Sequence, residues 1–336
     1  YLWFTIYVIP FFHAVLKRFS SIKITRRQII VLTVLAIVST GSVISWHLYE
    51  MRNQPKPGAK KLILEGWTAK EEPASDIFVV NGTRGEDGGV TELINLMGKH
   101  GLLFYKSPEA GKNKGPNGLI ARDDVVLIKV NSQWDERGGT NTDLLRELIQ
   151  AILDHPDGFI GEIIVADNGQ AQYGSAGFGG SFKWSRNNAE DPSQSVQKVV
   201  EMFSDSHKVS AYLWDSITTK RVKEYEDSDM EDGYVVNATV NPKTGIMVSY
   251  PKFKTKFGTY VSFKMGIWNP KTQTYDSERL KVINMPVLKT HSIYGVTACV
   301  KHYMGVVSDM LTRNLGARAH NTVGSGGMGT EMVETR

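Results

Sequence analysis

A chain of 336 residues, with 39 Lys and Arg against 35 Asp and Glu, carries a formal net charge of +4. Hydrophobic residues make up 41% and charged residues 22%, which excludes a disordered or collagen-like chain and a general nucleic-acid binder. The single cysteine, Cys299, excludes an internal disulfide framework and any Cys-only zinc or iron–sulfur site within the chain, so no such cofactor is expected.

The chain opens on Tyr1 rather than Met, which reads as a processed or partial beginning. Its first apolar run, Tyr1 to Leu16, would cover about 24 Å as a helix. That is slightly short for a bilayer and fits either a truncated span or an interfacial helix. The second run, Gln28 to Tyr49, has 22 consecutive residues without a formal charge. As a helix it covers about 33 Å, enough for a bilayer core, with Trp46 and Tyr49 at one interface. Residues 1–49 are therefore expected to form two transmembrane helices in contact with membrane lipid. The connector 17–27 holds Lys17, Arg18, Lys23, Arg26 and Arg27 and no acid. The flank after Tyr49 holds Arg52, Lys56, Lys60 and Lys61, partly offset by Glu50. The positive-inside rule places the connector in the cytoplasm and everything beyond Tyr49 on the periplasmic side of the inner membrane. Residues 50–75, with Pro55, Pro57, Gly58 and Pro73, read as a linker.

From Asp76 the pattern becomes that of a folded domain, 76–336. Asp76–Asn81, Asp124–Asn131, Gly161–Asp167 and Val209–Trp214 are short apolar runs of the kind that form buried strands. Between them lie Val90–His100, capped by Gly101, then Leu144–Leu153 behind the box-like Thr140–Asp143, and Ser195–Phe203, all with helical spacing. The alternation predicts an α/β fold, a parallel or mixed sheet with helices on its faces. An antiparallel insertion is expected over about 230–278, where short runs are punctuated by Asn-Pro and Gly. Arg279–Leu288 returns to a buried strand and Tyr294–Val307 to a helix.

Three further segments bear on function. Asn168–Asn188 is long, Gly-rich and aromatic, matches no phosphate-binding glycine motif, and reads as a mobile or partner-ordered surface loop rather than a cofactor loop. Glu224–Gly233 contains six acids, but the EF-hand register fails, leaving a solvated acidic turn. Lys252, Lys254 and Lys256 alternate with Phe253 and Phe257, a pattern expected of an exposed strand edge with one basic and one apolar face.

The stretches Val126-Leu-Ile-Lys-Val-Asn131 and Pro286-Val-Leu-Lys-Thr-His291, followed by Gly295-Val-Thr-Ala-Cys-Val-Lys-His-Tyr-Met-Gly305, place polar residues just beyond apolar strands, where open α/β sheets bind ligands. Lys129 stands inside an otherwise apolar strand, which requires either a carboxylate partner or a functional reason. Together these stretches resemble the DUF362 family of uncharacterised α/β proteins, whose pattern is roughly VLIKPN … PKLKTH … VTLSLKNLFG. The resemblance implies an α/β fold over about 76–320. It carries over Lys129 and Asn131, then Lys289, Thr290 and His291, then Thr297 and Lys301, with His320 as a later match. Val130 departs from the family's Pro and His302 from its Asn, and the ferredoxin-like Cys cluster of many members is absent.

Lys129, Lys289 and His291 are thus the catalytic candidates. Asn131, Thr290, Thr297, Lys301, His302 and His320 are the ligand-binding ones. If Lys129, Lys289, Lys301, His291 and His302 converge, they form a cationic pocket suited to a small anionic ligand, and a desolvated Lys among other cations could serve as a base. No metal site is expected, because the sequence has no H-x-H or H-x-x-x-H spacing. Two functions are open: an accessory subunit of a larger membrane complex, with other subunits as partners, or a membrane-tethered enzyme acting on a small anion. Two spans where one would tether, and the departures from the family pattern, favour the first.

Overall fold

The computed structural model of the protein describes residues 76–169, 180–237, 248–291, 295–308 and 311. The chain divides into two units, 1–75 and 76–336. The expected membrane spans, connector and linker lie outside the described residues, as does His320. No helix among the described residues is long and apolar enough to cross a membrane.

In chain order the domain runs through helix α1 (Gly89–Lys99) and three two-residue strands, β1 (Tyr105–Lys106), β2 (Lys114–Gly115) and β3 (Ile120–Ala121), which form a small sheet. Strand β4 (Val125–Lys129), helix α2 (Thr142–Leu153), β5 (Glu162–Asp167), helix α3 (Val196–Ser204) and β6 (Val209–Leu213) follow. Strands β7 (Arg221–Val222), β8 (Gly233–Val236), β9 (Ser249–Lys254), β10 (Tyr260–Ser262), β11 (Gly266–Asn269) and β12 (Thr274–Asp276) come next. The described part closes with β13 (Leu280–Asn284), the hairpin β14 (Lys289–His291) and β15 (Gly295–Thr297), and the short helix α4 (Cys299–His302).

The centre is a parallel four-stranded sheet in the order β13-β4-β5-β6. Every residue of β4 and β5 is buried. Successive side chains of a strand point to opposite faces, so such a run must be covered on both sides. Val126, Ile128, Ile163 and Val165 pack with Leu145, Ile149 and Ile152 of α2 and Val196, Val199 and Val200 of α3. Val125, Leu127, Ile164 and Ala166 pack with Tyr234, Phe253, Val261 and Ile267 of a second sheet. That sheet has the order β12-β11-β10-β9-β8-β7 and is antiparallel except for the β7–β8 pair. The domain is therefore three layers: helices, parallel sheet, antiparallel sheet.

This corrects the expectation of helices on both faces, since the insertion itself covers the second face. It also corrects the reading of the Lys252 strand as an exposed edge. Strand β9 lies between β8 and β10, and Lys252 is fully buried, its Nζ 2.5 Å from the Asp229 carbonyl and 4.3 Å above the Tyr225 ring. The acidic turn is correspondingly structural rather than merely solvated: Glu224 accepts hydrogen bonds from Ser262 and Tyr275, and Asp232 from Tyr212 and the Lys254 amide.

Three local expectations also fail. Residues 76–81 form no strand, because no neighbouring strand pairs with them, and Ile77 and Val79 stay exposed. The expected helix over 294–307 is broken: Gly295–Thr297, with two β-branched residues, pairs with Lys289–His291 instead, and α4 holds only four residues. Helix α2 is capped by Asn141, whose side chain accepts from the Leu144 amide. Thr140 is used elsewhere, bonding to the Asn131 amide and the Met285 carbonyl.

Candidate functional site

Strands β4, β5 and β13 end side by side, with Lys129 opposite both Ala166 and Asn284 in the register. Asp167, one residue beyond Ala166, reaches back to Lys129, and the Nζ–Oδ1 distance is 2.5 Å. Both side chains are at most 2% exposed. The ammonium also donates to the Val130 carbonyl at 2.9 Å. The second carboxylate oxygen of Asp167 accepts from the Ser132 amide at 2.7 Å and its hydroxyl at 2.9 Å. Burial holds Lys129 below the ordinary lysine value, against the pull of Asp167. Burial likewise holds Asp167 above the usual carboxylate range, against the donors that surround it.

Gly305 backs this pair. A Cβ built there would stand 2.5 Å from both Lys129 Nζ and Asp167 Oδ1, so a side chain cannot be accommodated without moving the pair. The Gly305 carbonyl accepts from the Asn168 amide, and the Asn168 side chain donates to the Val307 carbonyl at 3.0 Å. These bonds fasten the segment after α4 to the end of β5.

In front of the pair lies a small recess, partly open to solvent, lined by Lys129, Asn131, Asp167, Asn168, Thr297, Lys301 and His302, among others. His302 is buried, and its Nδ1 lies 2.5 Å from Asn284 Oδ1. The Asn284 amide nitrogen donates to the Cys299 carbonyl, which turns its oxygen to the ring and makes Nδ1 the protonated nitrogen. Burial, reinforced by the charge of Lys129 and, more weakly, those of Lys289 and Lys301, pushes the His302 pKa down to about 2. The Val130 backbone works against that shift. Nε2 makes no hydrogen bond of good geometry among the described residues. Thr297 Oγ1 is likewise buried without a partner among the described residues. Burial, then the charges of Lys289 and Lys129, lower Lys301.

The hairpin explains how the Lys-Thr-His block divides. Cross-strand pairs put Lys289 beside Thr297 and Thr290 beside Val296. Alternation sends the first pair inward and the second outward, so Thr290 is exposed and does not line the recess, contrary to expectation. Lys289 is half-buried, donates to the Gly138 carbonyl at 2.8 Å, and is lowered by burial. The backbone of His291 belongs to β14, and its side chain lies outside the described residues. Lys129, Asn131, Thr297, Lys301 and His302 are therefore brought together, with Lys289 adjoining.

The charge balance differs from the expected five-cation pocket. Lys129 is neutralised by Asp167, and His302 is uncharged. Asp167, Ser132, Asn284 and Gly305 were not singled out from sequence. Asp167 was legible in one respect: it ends the apolar run Gly161–Asp167 much as Lys129 nears the end of its own. Among the described residues no group of three His, Cys, Asp or Glu side chains gathers to hold a metal ion.

Fold and site together define a three-layer α/β domain with a buried Lys–Asp pair behind a small basic recess at the carboxyl edge of its parallel sheet. Residues 277–335, which include β13, the hairpin and α4, match the sequence profile described as Domain of unknown function (DUF362). Lys129 and Asn131 precede the matched segment. No curated protein and no solved structure matches the chain.

Proposed function

We propose that the 76–336 domain binds a small anion, a phosphate or carboxylate group, in the recess beside Lys301. The observation that carries this reading is the pair of buried polar atoms, Thr297 Oγ1 and His302 Nε2, at the wall of a basic recess. Buried polar groups are nearly always hydrogen-bonded, and leaving one unmade costs about 1–3 kcal/mol. A bound anion, with its hydration water or its own hydroxyl, would supply the missing partner to each. Lys129 is committed to Asp167 and Val130, which favours a role in shaping the recess over one in attacking a substrate. The apolar runs 1–16 and 28–49 would hold the domain at the periplasmic face of the inner membrane. Thermal unfolding of the full chain in mild detergent tests the binding. Phosphate should raise Tm more than chloride at equal ionic strength, and Lys301→Ala should abolish the difference. Equal stabilisation by phosphate, small carboxylates and chloride would overturn the reading.

A second reading, an accessory subunit of a membrane complex, draws on a separate observation. Leu288, Val296 and Val300, all on the hairpin segment and α4, are 79%, 52% and 54% exposed. Together with two apolar N-terminal runs they suit a neighbouring subunit. Purification in mild detergent should then recover stoichiometric partners, and a protein that runs alone would remove this reading.

A further inference from the structure

The loop between β4 and α2 has a second recess on it. Its walls include Asn131, Trp134, Phe182, Trp184, Arg186 and Asn187. Asn131 lines this recess and the basic one alike. Ser132 anchors both: its amide and hydroxyl hold Asp167, while its carbonyl accepts from Trp184 Nε1 at 2.9 Å and from the Ser181 amide.

Two of the aromatic walls are held in place. The hydrogen bond to Ser132 fixes the Trp184 ring, and Phe182 is buried in the helix-side core. Trp134 is 55% exposed, yet the loop folds tightly around it. A Cβ at Gly138 would come within 2.4 Å of Trp134 Cβ, so that position must stay bare. Glu136, in the same turn, has φ of +48°, a backbone region that L-residues seldom occupy and that clusters at ligand clamps. Its carboxylate pairs with Arg186, and its amide donates to the Arg186 carbonyl. Lys289 ties the far side of the loop to the hairpin through Gly138. A half-exposed indole on such a loop keeps an apolar face in water, a loss that a planar ring laid against it would recover.

Resting on the anion-binding reading, we infer that the two recesses form one site, and that its ligand is a small aromatic anion. Its phosphate or carboxylate group sits by Lys301 and Thr297, and its ring sits against Trp134 and Trp184. The Asn131 side chain stands at the junction, where it can bond to the linking atoms. This joins a charge-selective compartment to a shape-selective one, the usual composition of a small-molecule site.

The test uses the full chain in mild detergent and four probes: inorganic phosphate, phenyl phosphate, benzoate and phenol. Phenyl phosphate or benzoate should bind about tenfold more tightly than inorganic phosphate, equivalent to about 1.4 kcal/mol. Trp134→Ala, on a half-exposed side chain, should remove that gain and leave inorganic phosphate unchanged. Trp184→Phe, which keeps a ring, should lose less. Whichever of phenyl phosphate and benzoate binds better identifies the anionic group. If inorganic phosphate binds as tightly as phenyl phosphate and Trp134→Ala changes neither, the aromatic compartment is refuted while the anion site stands. If no probe binds, both readings fall. If phenol binds as well as phenyl phosphate, the two recesses are not one site.

Discussion

Removing one partner of the buried Lys129–Asp167 pair is expected to cost far more than removing both. At 2.5 Å the gross attraction is about 7 kcal/mol for an effective dielectric of about 20, but desolvation of each ion costs several kcal/mol. The intact pair therefore contributes little net stability. Lys129→Met leaves Asp167 uncompensated behind Gly305, and its escape is to take up a proton. From an ordinary carboxylate value near 3.9, protonation at pH 7 costs about 4 kcal/mol, which agrees with the loss of about 3–5 kcal/mol typical of broken buried pairs. Asp167→Asn leaves an uncompensated ammonium, and its escape is to lose a proton. The penalties should carry opposite pH signatures. That of Lys129→Met should shrink by about 1.4 kcal/mol for each unit the pH falls toward 4, and that of Asp167→Asn should shrink as the pH rises toward 10. The double variant should be more stable than the sum of the single losses predicts, by about 3 kcal/mol. Urea unfolding of the four proteins at pH 5, 7 and 9 reads all of this. Single losses under about 1 kcal/mol that add in the double variant, with no pH dependence, would show that the two groups are neither buried nor coupled.

Two other outcomes follow from the same site. Gly305→Ala should destabilise by about 1–3 kcal/mol through overpacking against Lys129 and Asp167, and should lower any phosphate-induced rise in Tm; wild-type stability in that variant would mean the backbone yields freely there. His302 has a folded pKa near 2 against an unfolded one near 6.5, so below about pH 6.5 the unfolded chain takes up a proton that the folded one refuses. Its contribution is complete above that pH and is lost as the pH falls, by about 2.6 kcal/mol between pH 7 and 4.5. Chemical denaturation should show this slope in the wild type and its loss in His302→Gln; parallel pH profiles would refute the buried neutral imidazole.

The sequence by itself determined which segments would be strands of a parallel core. Val125–Lys129 and Glu162–Asp167 are apolar nearly throughout, and only strands covered on both faces tolerate that composition. It also marked Lys129 as needing an explanation and set Lys289, Thr297 and Lys301 near a sheet edge, because ligand-facing residues follow strand ends in such folds. The helical spacing of α2 and α3 was equally legible.

Only the tertiary structure decided what covers each face. An antiparallel sheet and a helical layer present similar apolar stripes to a strand, so local periodicity cannot tell them apart. It alone chose Asp167 as the partner of Lys129, since register between strands 38 residues apart is set by packing, not by neighbours in sequence. It turned Thr290 outward and Thr297 inward, because the hairpin replaced a helix whose pattern the sequence also permits. It made His302 neutral and buried Lys252, because charge depends on the surrounding dielectric, and a residue's letter carries no record of how much water its side chain will keep.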